Sequence, residues 1–208
     1  MKKLLHIIAT PRDEESRTLQ VSRAFLECFE DKHSDWEVET LNLFNEKLPE
    51  LTVKRLDGKY HLLEGKDLTD ELKEAWSELV SYIEQFLSAD GYLISCPMWN
   101  FGIPYILKQY IDIIVQPKYL FRYTQNGPEG LIKNKKMLII TSRGGDYSSE
   151  QTKPYDLQEP YLRTVFNFVG ITEIQFINTQ PMDAMGSDVQ KTKIETAKIE
   201  AQKRASQF

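Results

Sequence analysis

The stretch "GYLISCPMWNFGIP", Gly91 to Pro104, decides the fold. Its first five residues are apolar apart from the terminal serine, and Pro97 ends the run, as expected of a short buried strand. Beyond the proline, the backbone N–H and C=O groups of Met98 to Gly102 are left outside any ladder, where they can meet something other than the core. Three more runs of this kind recur, "LLHII" at 4–8, "MLIIT" at 137–141 and "IQFIN" at 174–178, with longer amphipathic or mixed segments between them. Such alternation predicts parallel strands joined by helical crossovers. The runs at 4–8 and 137–141 are apolar almost throughout, which suits central strands covered on both faces, and His6 falls inside the first as a structural residue. "WEVETLNL", 36–43, mixes glutamates with apolar residues and suits an edge strand with one wet face. Five strands with the second at an edge predict an α/β fold: a doubly wound parallel sheet in three α/β/α layers, strand order 2-1-3-4-5.

Between the strands, Leu72, Ala75, Trp76, Leu79, Val80, Ile83, Phe86 and Leu87 fall at three- and four-residue spacings, the stripe of a helix packed on a sheet. Helices are also predicted over about 17–31, 104–115, 157–168 and 187–206. Residues 44–68 read as a long polar excursion carrying Pro49 and two glycines. "YLFRYTQNGPEGLI", 119–132, alternates aromatics and then reaches Asn126-Gly127, which predicts a small β-hairpin outside the main sheet. All 208 residues are read as one domain.

With 26 basic and 31 acidic residues the formal charge is −5, and no basic run or face is present, which argues against nucleic acid or an acidic membrane as partner. The apolar run near the amino terminus is shorter than a signal-peptide core, and no segment approaches the roughly twenty apolar residues of a membrane span. Cys28 and Cys96 make neither a disulfide framework nor a metal-ligand cluster. A cytoplasmic protein with a small-molecule ligand is expected.

In a sheet of this order ligands bind beyond the carboxyl ends of the strands, so the loops after the first, third and fourth strands matter most. The first, "TPRDEESRT", places Thr10, Ser16 and Thr18 around a helix amino terminus whose free N–H groups favour an anion such as phosphate; Ser16 could equally be a plain cap. Neither GxxxxGK[ST] nor GxGxxG occurs. Asp13, Glu14 and Glu15 oppose an anion unless they face solvent, and Arg12 and Arg17 offset them in part. In the second loop Asn100 can donate and accept at the edge of a heteroaromatic ring, flanked by Met98, Trp99 and Phe101, although these aromatics could also pack into the core. The third, "TSRGGDYSS", offers Ser142 and Arg143 beside Gly144 and Gly145, which permit close backbone approach to a ligand, positive φ, or an ordinary turn.

"TPR" followed by "SRT", then "PMWNFGIP" leading into "LKQYID", "FRYTQNGPEGL" and "TSRGG" in that order resemble the FMN-dependent NADH azoreductases, also described as FMN-dependent NADH:quinone oxidoreductases, of the flavodoxin-like class. The resemblance implies one noncovalent FMN per chain, with phosphate contacts at Thr10, Ser16, Arg17 and Thr18. It implies isoalloxazine contacts at Met98, Trp99, Asn100, Phe101, Ser142, Arg143, Gly144 and Gly145, with Pro97 in the same loop. Thr10 stands where serine is usual and Trp99 where tyrosine is common. It also implies NADH as donor, quinones or azo compounds as acceptors, and a homodimer, to which the aromatic hairpin at Tyr119, Phe121 and Tyr123 would contribute apolar surface. Phe121, Tyr123 and Tyr147 are the candidates for holding a flat acceptor. No Ser-His-Asp, Cys-His or paired-carboxylate set is recognisable, consistent with a bound cofactor doing the chemistry in two successive half-reactions. The rivals are a non-catalytic flavin carrier or redox sensor, and an acyl carrier protein phosphodiesterase, which would want metal ligands or a nucleophile with its base.

Overall fold

A computed structural model describes residues 1–208. The chain runs β1 (Lys2–Ile8), α1 (Arg17–Lys32), β2 (Trp36–Asn42), α2 (Val53–Leu63), α3 (Asp70–Ser88), β3 (Gly91–Ser95), α4 (Tyr105–Ile114), β4 (Phe121–Thr124), β5 (Gly127–Gly130), β6 (Lys136–Ser142), α5 (Glu159–Phe168), β7 (Glu173–Thr179) and α6 (Ser187–Ala205). The main sheet is parallel, in the order β2-β1-β3-β6-β7, which is the predicted 2-1-3-4-5 once the hairpin strands β4 and β5 are set aside. β2 lies at an edge as its mixed pattern required. No helix is long and apolar enough to cross a membrane.

Alternate residues of the central strands feed two cores. Leu5, Ile7, Tyr92, Ile94 and Ile139 face the side covered by α3, α4 and α5, where Trp76, Phe86, Tyr110 and Phe166 are fully buried. Leu4, Leu93, Leu138 and Ile140 face α1 and α6. There, small residues at four-residue spacing on α6 (Ala197, Ala201 and Ala205) let it lie close to α1, whose Phe25 and Phe29 meet Phe208 edge-on.

The excursion at 44–68 contains a regular element that the sequence did not reveal. Thr52 caps α2 by accepting a hydrogen bond from Arg55 N, and Leu62 and Gly58 are its buried residues. Val53, Leu56 and Tyr60 point to solvent, so α2 shows no apolar stripe at helical spacing. It is held instead by polar contacts to α3: Trp76 Nε1 donates to Arg55 O at 2.9 Å, and Arg55 pairs with Glu78.

The hairpin forms, with Gln125 and Asn126 at its turn, but its aromatics do not all project. Phe121 is buried against Phe168 with ring centroids 4.7 Å apart, Tyr119 is half-buried on Trp76, and only Tyr123 stands out at 64% exposure. The reason is the hairpin's mooring. Ile132 N donates to Val169 O at 3.0 Å, and Gly130 and Gly170 approach so closely that neither has space for a side chain. Val169 and Gly170 join α5 to the start of β7, so the hairpin sits at the amino-terminal end of the sheet.

His6 is buried on β1 with its Nε2 at 2.7 Å from Ser95 Oγ, which lies 2.6 Å from Ser22 Oγ on α1; Ser22 in turn donates to Thr18 O. Burial away from any carboxylate pushes the imidazole pKa down to about 3, so the ring is neutral. The unfolded chain therefore binds a proton that the folded chain refuses between about pH 6.5 and 3, and stability falls as pH drops through that window. Replacing His6 by Gln, which can keep the bond to Ser95, should flatten urea-denaturation stability against pH there by up to about 1.4 kcal/mol per pH unit. An unchanged slope would show that His6 is protonated in the fold.

Candidate functional site

β1 and β3 are neighbours whose crossovers depart in opposite directions, β1 toward β2 and β3 toward β6, and a cavity of about 210 Å³ opens beyond their carboxyl ends. Four loops line it: Thr10, Arg12, Ser16 and Arg17 after β1; Pro97, Met98 and Trp99 after β3; Ser142, Arg143 and Gly144 at the end of β6; and Met182 and Asp183 after β7.

In the first loop the two readings of Ser16 prove compatible. Its Oγ accepts from Leu19 N at 3.3 Å as the cap of α1, and the residue also lines the cavity, which faces the remaining free N–H groups of the helix start. Thr10 is buried, with Oγ1 accepting from Arg12 N. The acidic turn Asp13–Glu15 faces solvent and none of its residues lines the cavity; Glu15 pairs with Arg12 at 3.0 Å and Glu14 with Arg23 at 2.7 Å. Thr18 departs from expectation. It is fully buried, and its Oγ1 lies 2.7 Å from Ser142 Oγ, so the hydroxyl ties α1 to β6 instead of facing the cavity. Arg17 does face it, with Nη1 at 2.6 Å from Asp183 Oδ1.

The second loop is a tight turn. Trp99 and Gly102 exchange both backbone hydrogen bonds at 3.0 Å, and the residues between them have positive φ, 47° at Asn100 and 70° at Phe101. Asn tolerates this conformation; a phenylalanine there is strained by about 1–3 kcal/mol. The turn is braced by Leu157 N donating to Phe101 O at 3.0 Å and by Tyr147 and Tyr155, whose ring centroids lie 6.4 and 6.0 Å from that of Phe101. Asn100 and Phe101 are exposed at the rim, not packed in the core. Trp99 leans on Phe44 and Tyr105, which gives the segment after β2 a part in shaping the site.

In the third loop Arg143 lines the cavity, but not with its charge. Its side chain is 2% exposed and turned inward, with Nη1 2.8 Å from Asp156 Oδ2 and Nε donating to Gln158 Oε1 and Thr141 Oγ1, both at 3.2 Å. Nη2 lies 3.8 Å from Glu159 Oε2 and has no hydrogen-bond partner. The guanidinium thus fastens β6 to the start of α5, where Asp156 Oδ1 also accepts from Gln158 N and Glu159 N. Neither Gly144 nor Gly145 has positive φ. A Cβ on Gly145 would meet only the Tyr147 ring, at an ordinary 3.5 Å, so the fold leaves that position free of any internal demand for glycine.

Arg12, Met182 and Asp183 were not named from sequence as site residues. Met182 and Asp183 arrive by β7, held by Met182 N to Arg143 O at 2.9 Å and Asp183 N to Gly144 O at 3.1 Å, and no sequence pattern marks them. Tyr147 stands beside the site, its N–H donating to Gln180 Oε1. Phe121 and Tyr123 do not line the cavity; within one chain their hairpin is at the other end of the sheet. The Cys96 thiol is buried under the second loop, and burial pushes its pKa up to about 12, which leaves it no nucleophilic character near neutral pH.

A five-stranded sheet wound in this order, with a loop-lined cavity at its switch point, defines the flavodoxin-like class. Residues 2–205 match the family described as having a flavodoxin-like fold, and the chain belongs to that family. It is 37% identical to an FMN-dependent NADH:quinone oxidoreductase of Desulfotalea psychrophila, over 97% of this chain and 95% of that one. It is 38% identical to FMN-dependent NADH:quinone oxidoreductase 2 of Listeria monocytogenes, with both chains fully covered. Among solved structures it resembles an azoreductase from Bacillus anthracis, with a TM-score of 0.91, 31% identity and full coverage of both chains. A second, an FMN-dependent NADH-azoreductase from the same species in complex with FMN, gives a TM-score of 0.85 at 29% identity, over 99% of this chain and 100% of that one.

The buried Arg143–Asp156 pair gives a stability test. Asp156→Ala should cost about 3–5 kcal/mol in urea denaturation, because it leaves the guanidinium buried without its closest counter-charge. Glu15→Ala, which removes an exposed partner of Arg12, should cost under about 1 kcal/mol. Equal losses would mean that the third loop is not anchored by that charge.

Proposed function

We propose that this chain is an FMN-dependent oxidoreductase that accepts reducing equivalents from NADH and delivers them to quinones and aromatic azo compounds. The observation that carries the reading is the convergence on one cavity of a capped helix amino terminus, the first residue of the strained Trp99–Gly102 turn and the end of β6 at Ser142–Gly144, in a chain belonging to this family.

The residues present fit FMN. The start of α1, with Thr10, Ser16 and Arg17, suits a dianionic phosphate. At about 210 Å³ the cavity is smaller than the roughly 300–1,000 Å³ of a site that encloses a whole ligand, so it takes the phosphate and the chain next to it. The Met98–Phe101 turn and Gly144–Tyr147 would hold the flat ring: Met98 and Trp99 would supply apolar walls, the exposed Asn100 amide would pair with the ring edge, and the Gly144 and Gly145 amides would stabilise negative charge. Glycine at 145, which the fold itself does not require, is then explained by a ligand lying against the backbone. FMN supplies the reversible uptake of a hydride equivalent.

The chain's own contribution is binding, orientation and electrostatics. His6, its pKa lowered to about 3 by burial, and Cys96, its thiol pushed up to about 12, are not acids or bases poised near neutral pH. The rim formed by Phe101, Tyr147 and Tyr155 offers flat surface to one planar partner at a time, which makes NADH and the acceptor successive occupants. Activity of this kind fits the cytoplasm, where NADH is available.

The same reading includes a homodimer. Phe101, Tyr155 and Leu157 are about half or more exposed and adjoin one another beside the cavity, an apolar rim that a second copy could cover. Tyr123, and the hairpin that carries it, can reach a flavin only across such an interface.

Two measurements test the proposal. Protein loaded with FMN should lose its visible absorbance on anaerobic addition of NADH alone and regain it when a quinone follows, with parallel double-reciprocal lines in steady state; bleaching that requires both substrates at once would refute successive occupancy. Light scattering at micromolar concentration should report twice the 24.3 kDa chain mass. A monomer would remove the dimer and any role for Tyr123.

A further inference from the structure

Each arginine of the cavity wall already has a carboxylate partner: Arg12 with Glu15, Arg17 with Asp183, and Arg143 with Asp156. Two of these carboxylates lie away from the cavity, Glu15 in solvent and Asp156 behind the β6 loop. Asp183 is different. It lines the cavity itself, is the only acidic side chain to do so, and its Oδ1 is 2.6 Å from Arg17 Nη1. Its Oδ2 sits 2.9 Å from where a Cβ on Gly144 would be, so the carboxylate lies between the amino terminus of α1 and the glycine turn. The contact joins residues 166 apart in sequence, and it is the polar side-chain contact by which the loop after β7 reaches the loop after β1.

From this placement we infer that Asp183 is a built-in competitor for the phosphate of the ligand: its carboxylate holds Arg17 until a phosphate displaces it, and so sets how strongly and how selectively the site takes a phosphorylated flavin. The inference rests on the function proposed above. A dianion arriving at Arg17 meets a carboxylate that already neutralises the guanidinium, and must displace it or lie beside a like charge. The pair is easily given up. Asp183 is 66% exposed, so solvent replaces the lost contact, and an ion pair that open holds its partners weakly. A ligand without phosphate has no reason to displace it. Asp183 thus weakens binding of FMN without weakening binding of riboflavin, and keeps the dissociation of FMN responsive to ionic strength.

The test compares wild type with Asp183→Asn, by flavin fluorescence titration on apoprotein, with FMN and riboflavin as separate probes. Asp183→Asn should bind FMN about twofold to fivefold more tightly at low salt, bind riboflavin as wild type does, and lose most of its advantage near 0.5 M salt, where exposed charges are screened over about 4 Å. Unchanged or weaker FMN binding by Asp183→Asn would overturn the inference and make Asp183 an orienter of Arg17. An equal gain for riboflavin would overturn it as well, since the effect would then belong to the loop and not to phosphate. Should wild type not bind FMN at all, the flavin reading fails by itself. Inorganic phosphate then still examines Asp183, because its stabilisation of the melting temperature should be larger in Asp183→Asn, and an equal shift would count against the competitor.

Discussion

The hydrogen-bonded neighbours β1 and β3 send their following helices to opposite sides of the sheet, and what the chain can offer a ligand follows from the gap this opens. A parallel strand ends with unpaired backbone groups, and a helix begins with them; at this one position both kinds of ending meet. The topology gathers there a wall of three arginines, three hydroxyl residues and Asp183, to which Pro97 and Gly144 bring backbone.

This explains which parts could be read from the amino acids. The strand order, the edge position of β2, the long helix over Asp70–Ser88 and three of the four loops that line the cavity were legible because burial on two faces, on one face or along a stripe each leaves its own period in the sequence. α2 was not legible because it is attached by polar bonds to α3 and buries little beyond Leu62, so it carries no period. Side-chain direction was not legible either. Arg143 reads as a residue beside a bound ring, and nothing local shows that its guanidinium points inward to carboxylates that arrive 13 and 16 residues later. Thr18 reads as a phosphate hydroxyl, yet it bonds Ser142 at the end of another strand. Phe121 reads as exposed until the tight approach of Gly130 to Gly170 draws its strand onto Phe168. In each case the deciding partner is distant in sequence, where no local pattern records it.

The two ends of the site also differ in stiffness. Phe101 holds a conformation that costs about 1–3 kcal/mol, and such a residue persists only where its surroundings over-determine it. Those surroundings are the Trp99–Gly102 bonds, the Leu157 amide, and the rings of Tyr147 and Tyr155. Leu157 and Tyr155 in turn flank Asp156, which is locked to the buried Arg143 at 2.8 Å. The charge buried in the third loop thus holds the brace of the second, and the two form one preorganised unit. The fourth loop is held to the third by the Met182 and Asp183 amides, but between the first and fourth loops there is no such lock. They meet through the exposed Arg17–Asp183 pair, which solvent can replace. A flavin entering this cavity would find the part that faces its ring already shaped and the part that faces its phosphate adjustable. That division suits the chemistry, because electron transfer requires the ring to be held in one geometry, whereas the phosphate only has to anchor it.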